Sequence, residues 1–109
     1  MTRILVVDDH ESIRSLLRAA LESEGYDVIE AENGDEGLRH YQVEPTDLVI
    51  TDMQMPGMNG LELIRELQGA SPWVKVMAIG GCRRTLTMAR TLTPYTLEKP
   101  FSLKNQSHY

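Results

Sequence analysis

The chain has 109 residues and a mass of 12.3 kDa, with 41% hydrophobic and 25% charged residues, which predicts one globular domain over residues 1–109. Its net charge of −5 argues against a nucleic-acid-binding protein, which would show an excess of basic residues. It has neither an apolar stretch near the roughly 20 residues needed to cross a bilayer nor a signal-peptide pattern, and its lone cysteine excludes an internal disulfide, so we expect a cytoplasmic protein that binds no membrane.

Short apolar runs alternate with helical patterns along the chain. The run Ile4–Val7 predicts a first strand, and the spacing of apolar residues over 13–21 predicts an amphipathic helix that Gly25 ends. The later elements are predicted, in chain order, as a strand at Asp27–Ala31, a helix at Asp35–Val43, a strand at Leu48–Thr51, a helix after the capping residue Asn59, a strand at Val74–Ile79 followed by a Gly80-Gly81 turn, a helix at Thr85–Leu92, a strand near Tyr95–Glu98 and a short last helix from Ser102.

This alternation predicts an α/β protein. The strands are continuous apolar blocks, which is typical of strands buried on both faces of a parallel sheet between helices. Because crossover connections are right-handed, a doubly wound five-stranded sheet is the simplest arrangement.

Acidic residues follow two of the predicted strands. Asp8 and Asp9 follow the first strand, and Asp52 ends the third. Taken singly, the first pair is equally explained as a helix cap with a solvated neighbour, and Asp52 as a turn residue. Ligands of open α/β sheets bind beyond the carboxyl ends of the strands, and neighbouring strands lie about 4.8 Å apart. If the first and third strands are neighbours, the three carboxylates converge on one crevice.

Such a cluster requires compensation of its charge. Two carboxylates about 4 Å apart repel by roughly 4 kcal/mol at an effective dielectric constant of about 20, which corresponds to about three pKa units. The cluster must therefore keep a proton or hold a cation, and oxygen ligands favour Mg²⁺. Lys99, at the end of the fifth strand, can supply a positive charge for a phosphoryl group.

These residues carry a family resemblance. The run Ile4–Asp9, the stretch Asp52–Gly60 with its D-x-x-M-P-x-M-x-G pattern, and Lys99-Pro100-Phe101 resemble the receiver domain of bacterial two-component response regulators. The resemblance covers almost the whole chain and implies a flavodoxin-like sheet in the order 2-1-3-4-5, with helices on both faces and a last helix that is short or missing.

The resemblance also implies roles for individual residues. Asp52 would accept a phosphoryl group from a sensor histidine kinase or a phosphotransfer protein, forming an aspartyl phosphate in a phosphorelay. Asp8, Asp9 and Asp52, with the backbone carbonyl of Gln54, would hold Mg²⁺, and Lys99 would pair with a phosphoryl oxygen. Such a domain is no enzyme in the usual sense, since it catalyses at most its own phosphorylation and dephosphorylation.

The chain departs from the family pattern at two switch positions. Gly80 stands where the family has a serine or threonine whose hydroxyl binds the phosphoryl group, and Thr85 lies too far along the chain to replace it. Thr96 stands where the family often has an aromatic residue. We expect Asp52 to be phosphorylated with weak or altered coupling to the output surface.

The C-terminal segment is also short, since residues 102–109 allow only about two helical turns. Apolar surface at the edge of the sheet would then be open, which predicts a homodimer or a partner bound there. We expect a single-domain regulator without an effector region, whose output runs through protein contacts or through passing the phosphoryl group onward.

Two other functions are compatible with the sequence. A pseudo-receiver that has lost phospho-switching would explain Gly80 and the short C-terminal segment. A phosphatase with an aspartyl nucleophile resembles D-x-D at the strand end, but Asp52-Met53-Gln54 lacks the second acid.

Overall fold

The computed structural model describes residues 2–81 and 83–98. In chain order the elements are β1 (Arg3–Val7), α1 (Glu11–Ser23), β2 (Asp27–Ala31), α2 (Gly34–Val43), β3 (Leu48–Asp52), α3 (Gly60–Ala70), β4 (Lys75–Gly80), α4 (Arg83–Ala89) and β5 (Tyr95–Glu98). None of the helices within these residues is long and apolar enough to cross a membrane.

The five strands form one parallel sheet in the order β2-β1-β3-β4-β5, which confirms the predicted flavodoxin-like topology. β1 lies between β2 and β3, with Val7 opposite Ala31 on one side and opposite Thr51 on the other. The strand order reverses between β1 and β3, so the crevice at their carboxyl ends is where this topology places a ligand.

Helices cover both faces of the sheet, and each face has its own apolar core. On one face, α2, α3 and α4 pack against the sheet around a core that includes the buried residues Leu5, Val49, Leu63, Leu67 and Leu86. On the other face, Leu17 and Leu21 of α1 pack against a smaller cluster from β1, β2, β3 and β4. The central strands β1 and β3 are almost fully buried, whereas the edge strand β2 is only partly buried, so the prediction of strands buried on both faces holds for the centre of the sheet alone.

Local sequence accounts for several helix ends. The Asn59 side chain accepts from the backbone N–H of Glu62 at 2.9 Å, and the Glu62 carboxylate accepts from the backbone N–H of Asn59 at 3.2 Å. This capping box satisfies donors that the first turn of α3 would otherwise leave unpaired. Gly25, with a φ of +90°, follows α1 as predicted, since glycine adopts this conformation without steric cost.

Three predictions need correction or fall outside the described residues. Gly80 is the last residue of β4 rather than part of a turn, and α4 ends at Ala89 rather than at Leu92, because the chain there tightens into i→i+3 hydrogen bonds. The last helix predicted from Ser102 lies outside the described residues.

Candidate functional site

Three aspartates meet at the carboxyl ends of β1 and β3, as predicted. Asp8 and Asp9 follow β1 directly, and Asp52 is the last residue of β3. One carboxylate oxygen from each, together with a ring nitrogen of His10, lie within 4.8 Å of one another. The pairing of β1 with β3 brings the acids together, because parallel neighbours end at the same edge of the sheet.

The three carboxylates differ in their access to solvent. Asp8 is 1% exposed and Asp52 is 2% exposed, whereas the side chain of Asp9 is 30% exposed. A buried carboxylate needs hydrogen-bond donors or a cation. One donor is known for Asp8, whose Oδ1 accepts from the backbone N–H of His10 at 2.8 Å.

Arg14 on α1 holds the main chain of Asp8, a role that the sequence interpretation missed. Its Nη1 donates to the Asp8 carbonyl oxygen at 2.7 Å, and its Nε donates to Glu30 of β2 at 3.1 Å. Only 9% of the Arg14 side chain is exposed, and Arg18 donates to the same Glu30 carboxylate at 2.6 Å. The hydrogen bond from Arg18, followed by that from Arg14, lowers the pKa of Glu30 against the opposing effect of burial.

The chain around Asp52 is closely packed. The N–H of Gln54 lies 3.4 Å from Asp52 Oδ1, and the N–H of Met53 donates to the Ile79 carbonyl of β4 at 2.8 Å. At Gly60, a Cβ atom would lie 2.3 Å from the Asp52 carbonyl oxygen and 2.7 Å from the Cα of Met53. The start of α3 therefore rests directly on the backbone of Asp52, which only a glycine permits.

The methionines of this loop have a packing role. Met53 and Met55 are buried in the larger apolar core, and Met58 packs against it. Filling irregular gaps in an apolar core is the usual role of methionine, so these side chains hold the loop in place by packing.

An open cleft of about 570 Å³ lies beside the aspartates. It is lined by Asp9, Glu11, Arg14, Glu32, Asn33, Asp35, Pro56 and Gly57, which lie on the loops after β1, β2 and β3 and at the starts of α1 and α2. Four of these side chains are carboxylates and one is a guanidinium. A cation or a partner's basic group thus has an entry path to the partly exposed Asp9.

The donor set fits Mg²⁺. Three carboxylates offer hard oxygen ligands, two of them are withdrawn from bulk water, and their oxygens are close enough for one ion to draw together. The Mg²⁺ ion prefers a few carboxylates and keeps several waters, for which the open side at Asp9 leaves room.

The predicted switch positions lie on β4 and β5. Gly80 is buried and pairs with Glu98 of β5. It follows Ile79, which pairs with Asp52 of β3. A Cβ atom on Gly80 would lie 3.3 Å from Leu86 Cδ2 of α4, so α4 packs over the position that lacks a side chain. Thr96 of β5 is half-buried and its hydroxyl accepts from Arg90 Nε at 3.3 Å. Lys99 lies outside the described residues.

Sequence comparison matches residues 4–105 to the response regulator receiver domain. The transcriptional regulatory protein ResD of Bacillus subtilis is 40% identical over 103 residues, covering 93% of this chain and 43% of ResD. The response regulator receiver protein CpdR of Brucella abortus is 36% identical over 108 residues, covering 96% of this chain and 90% of CpdR. The chain thus spans less than half of ResD but nearly the whole of CpdR.

Solved structures show the same fold. The response regulator protein TrrA of Thermotoga maritima, in complex with Mg²⁺ and BeF, superposes with a TM-score of 0.87 at 34% identity, covering 99% of this chain and 95% of TrrA. TrrA in complex with the histidine kinase ThkA superposes with a TM-score of 0.84 at 35% identity, covering 99% of this chain and 94% of the other.

Proposed function

The chain belongs to the response regulator receiver domain family, and we propose that Asp52 is its phosphoacceptor, charged from a phosphohistidine of a sensor histidine kinase or a phosphotransfer protein. The observation that carries this proposal is the convergence of Asp8, Asp9 and Asp52 at the carboxyl ends of two adjacent parallel strands. An isolated acidic turn residue would not require two further carboxylates within 4.8 Å of it.

The transfer requires little from the protein beyond positioning and charge. An oxygen of the Asp52 carboxylate attacks phosphorus in line with the bond to the donor imidazole; the P–O bond forms, the P–N bond breaks, and the imidazole leaves with the bonding electron pair and takes up a proton. A bound Mg²⁺ would neutralise the charge on the transferring oxygens. Asp8, Asp9 and the Gln54 carbonyl would hold the ion with Asp52, and Lys99 would pair with a phosphoryl oxygen.

Arg14 has a positioning role in this proposal. By holding the Asp8 carbonyl and Glu30 together, it fixes the loop after β1 relative to the sheet. A kinase as partner is supported by the complex of ThkA with the similar protein TrrA, and Mg²⁺ by the complex of TrrA with Mg²⁺ and BeF. We place the protein in the cytoplasm, where such kinases present their phosphohistidine.

A small phosphodonor tests the assignment of Asp52. We would incubate the protein with acetyl phosphate or phosphoramidate and Mg²⁺ and measure its intact mass. The expected result is one phosphoryl group on the wild type and none on Asp52→Asn. Asp47→Asn is the matched control, because Asp47 precedes the same strand at its opposite end, where it accepts from the backbone N–H of Arg3.

The same assay separates the alternatives. No phosphate on the wild type would overturn the phosphoacceptor role and support a pseudo-receiver, which Gly80 favours because no hydroxyl stands at the end of β4. Rapid multiple turnover of the donor would support a phosphatase. Phosphate that persists on Asp52→Asn would place the acceptor elsewhere.

We also propose that the sheet edge at β5 forms a contact with a second copy of the chain or another protein. Tyr95 and Leu97 of β5 are 49% and 38% exposed, which leaves apolar surface open at this edge. Sedimentation velocity over a wide concentration range tests this, and a monomer at every concentration would contradict the homodimer.

A further inference from the structure

The exposed apolar side chains are concentrated at the edge of the sheet where its strands begin. Of the six large apolar side chains that are exposed within the described residues, four lie where the chain leads into a strand: Tyr26 before β2, Val43 at the end of α2 before β3, Trp73 before β4, and Tyr95 as the first residue of β5. Because the strands are parallel, these places share one edge of the sheet, opposite to the edge that carries the aspartates. Exposed apolar side chains that gather at one end of a domain mark a contact surface.

A groove of about 520 Å³ opens at this edge, between the segments that lead into β3 and β4. Its lining includes the apolar residues Pro45 and Trp73, the second of them 81% exposed, and the charged residues Asp47 and Lys75. Asp47 directly precedes β3, and Lys75, the first residue of β4, pairs with Leu48, so the two charges stand at the starts of adjacent strands. The groove is therefore apolar, with one negative and one positive charge beside it.

Both charges of the groove are available to a partner. Lys75 is exposed and forms no ion pair with any residue that the structure describes. The exposed Asp47 accepts a hydrogen bond from the backbone N–H of Arg3 at 2.8 Å, and an ionised carboxylate can accept several more. The Arg3 guanidinium is bound to Asp27 and Glu44 instead. A molecule that enters the groove thus meets one carboxylate and one ammonium group.

We propose that this groove binds a second copy of the chain in a twofold-symmetric dimer, with Trp73 at the centre of the contact. A twofold contact requires a patch that is complementary to itself. The groove meets this requirement, because a rotation by 180° brings Asp47 of each copy opposite Lys75 of the other. An occupant with charge of one sign would instead leave one of the two groups opposite a like charge. The proposal does not depend on the phosphoacceptor role of Asp52.

The position of the groove also suits a dimer. The five strand ends span four spacings of about 4.8 Å, or about 19 Å, and the helices on both faces widen this surface toward the roughly 800 Å² per copy of a standard interface. Tryptophan near the centre of a contact is among the residue types that most often dominate its binding energy. Because the groove lies at the opposite end of the strands from Asp52, both copies would keep their aspartates open to a phosphodonor.

Sedimentation velocity from about 1 μM to 1 mM tests the contact, since most specific but weak complexes dissociate in this range. We would compare the wild type with Trp73→Ala, Lys75→Glu and Asp47→Lys, and with an equimolar mixture of the last two. Arg84→Glu is the matched control, because it makes the same change in net charge at an exposed position at the start of α4. The emission of Trp73, the only tryptophan of the chain, is followed on dilution as a second measurement.

We expect a concentration-dependent dimer whose dissociation constant rises at least about thirtyfold in Trp73→Ala, the loss typical of truncating a central tryptophan. Lys75→Glu and Asp47→Lys should each weaken it at least about tenfold, because like charges would face each other twice. Their mixture should dimerise like the wild type, since each copy then carries what the other lacks. Arg84→Glu should also match the wild type, and dilution of the wild type should move the Trp73 emission to longer wavelengths.

Several outcomes would overturn the proposal. A monomer at every concentration, or a dimer that Trp73→Ala leaves intact, would show that the groove does not bind a second copy. Equal weakening by Lys75→Glu and Arg84→Glu would attribute association to net charge rather than to paired charges. A dimer that Leu97→Ser dissociates, with Trp73 emission unchanged on dilution of the wild type, would place the contact at β5 instead. If Asp47→Lys does not fold, because it loses the acceptor for Arg3, Lys75→Glu and Trp73→Ala still decide the matter.

Discussion

Adding a hydroxyl at the end of β4 is the sharpest test of how phosphorylation is coupled to the rest of the domain. Gly80→Ser supplies the group that the family has at this position. A Cβ atom there would lie 3.3 and 3.4 Å from two atoms of Leu86, and 3.6 Å from Met53 Cβ. Leu86 must therefore yield by a few tenths of an ångström, while Met53 remains in ordinary contact.

The variant should fold nearly as well as the wild type. Overpacking a core costs about 1–3 kcal/mol, and serine adds one carbon and one oxygen, of which the carbon meets only a movable leucine end, so we expect a cost at the lower limit. Replacing a strand glycine returns about 0.5–1 kcal/mol of backbone entropy. We expect the free energy of unfolding, measured with urea, to change by less than about 1 kcal/mol.

The coupling is measured by ¹H–¹⁵N spectra before and after treatment with acetyl phosphate and Mg²⁺. In the wild type, we expect shifts around Asp52 and only small ones at Leu86 and Thr96. Gly80→Ser should add large shifts at both, because a hydroxyl that binds the phosphoryl group would move the chain that joins β4 to α4. Gly80→Ala, which adds the carbon without the hydroxyl, should behave as the wild type.

Equal and large shifts in the wild type and in Gly80→Ser would refute this reasoning, since coupling would then need no hydroxyl at this position. Equal shifts in Gly80→Ala and Gly80→Ser, both larger than in the wild type, would assign the effect to pressure on Leu86 instead.

Three further predictions concern stability, each measured by urea denaturation. Gly60→Ala should lower the free energy of unfolding by about 3 kcal/mol or more, because its Cβ would lie 2.3 Å from the Asp52 carbonyl oxygen, whereas Gly69→Ala, with nothing within 4 Å, should raise it by about 0.5–1 kcal/mol. The pKa of Glu30 is lowered in the folded state, so its ionised carboxylate stabilises the fold above the ordinary pKa of 4.5, and this stabilisation is lost as the pH falls through the folded pKa. The difference in free energy of unfolding between the wild type and Glu30→Gln should therefore vanish in that range. A difference that acid leaves unchanged would contradict the ion pairs of Glu30. Thr93→Val should cost about 1–3 kcal/mol, because the buried hydroxyl donates at 2.6 Å to a β4 carbonyl that would lose its partner; no loss would show that water replaces it.

The sequence predicted the parts of the site that depend on topology. Asp8, Asp9 and Asp52 were expected at one crevice, because they end strands whose apolar runs identify them without knowledge of the packing. The sheet order came from the family resemblance and is confirmed. The bounds of β2 and β5 are also as predicted, since turn residues or polar residues flank both.

Other features depend on contacts that no local pattern reveals. Arg14 lies on a helix, where a basic residue is ordinarily assigned to the solvent side. Only the folded structure shows that the Glu30 carboxylate of β2 lies within hydrogen-bond distance of it. Gly80 looked like a turn residue, yet it stays in β4 because α4 packs closely over it.

The close approach at Gly60 has a mechanical consequence. No compressible side chain separates the start of α3 from the main chain of Asp52, and the N–H of Gly60 donates to the Met53 carbonyl at 3.3 Å. A displacement of the Asp52 backbone must therefore either translate α3 as a rigid body or rupture this hydrogen bond. The orientation of α3, a helix that contributes none of the three aspartates, therefore reports displacement of the Asp52 backbone.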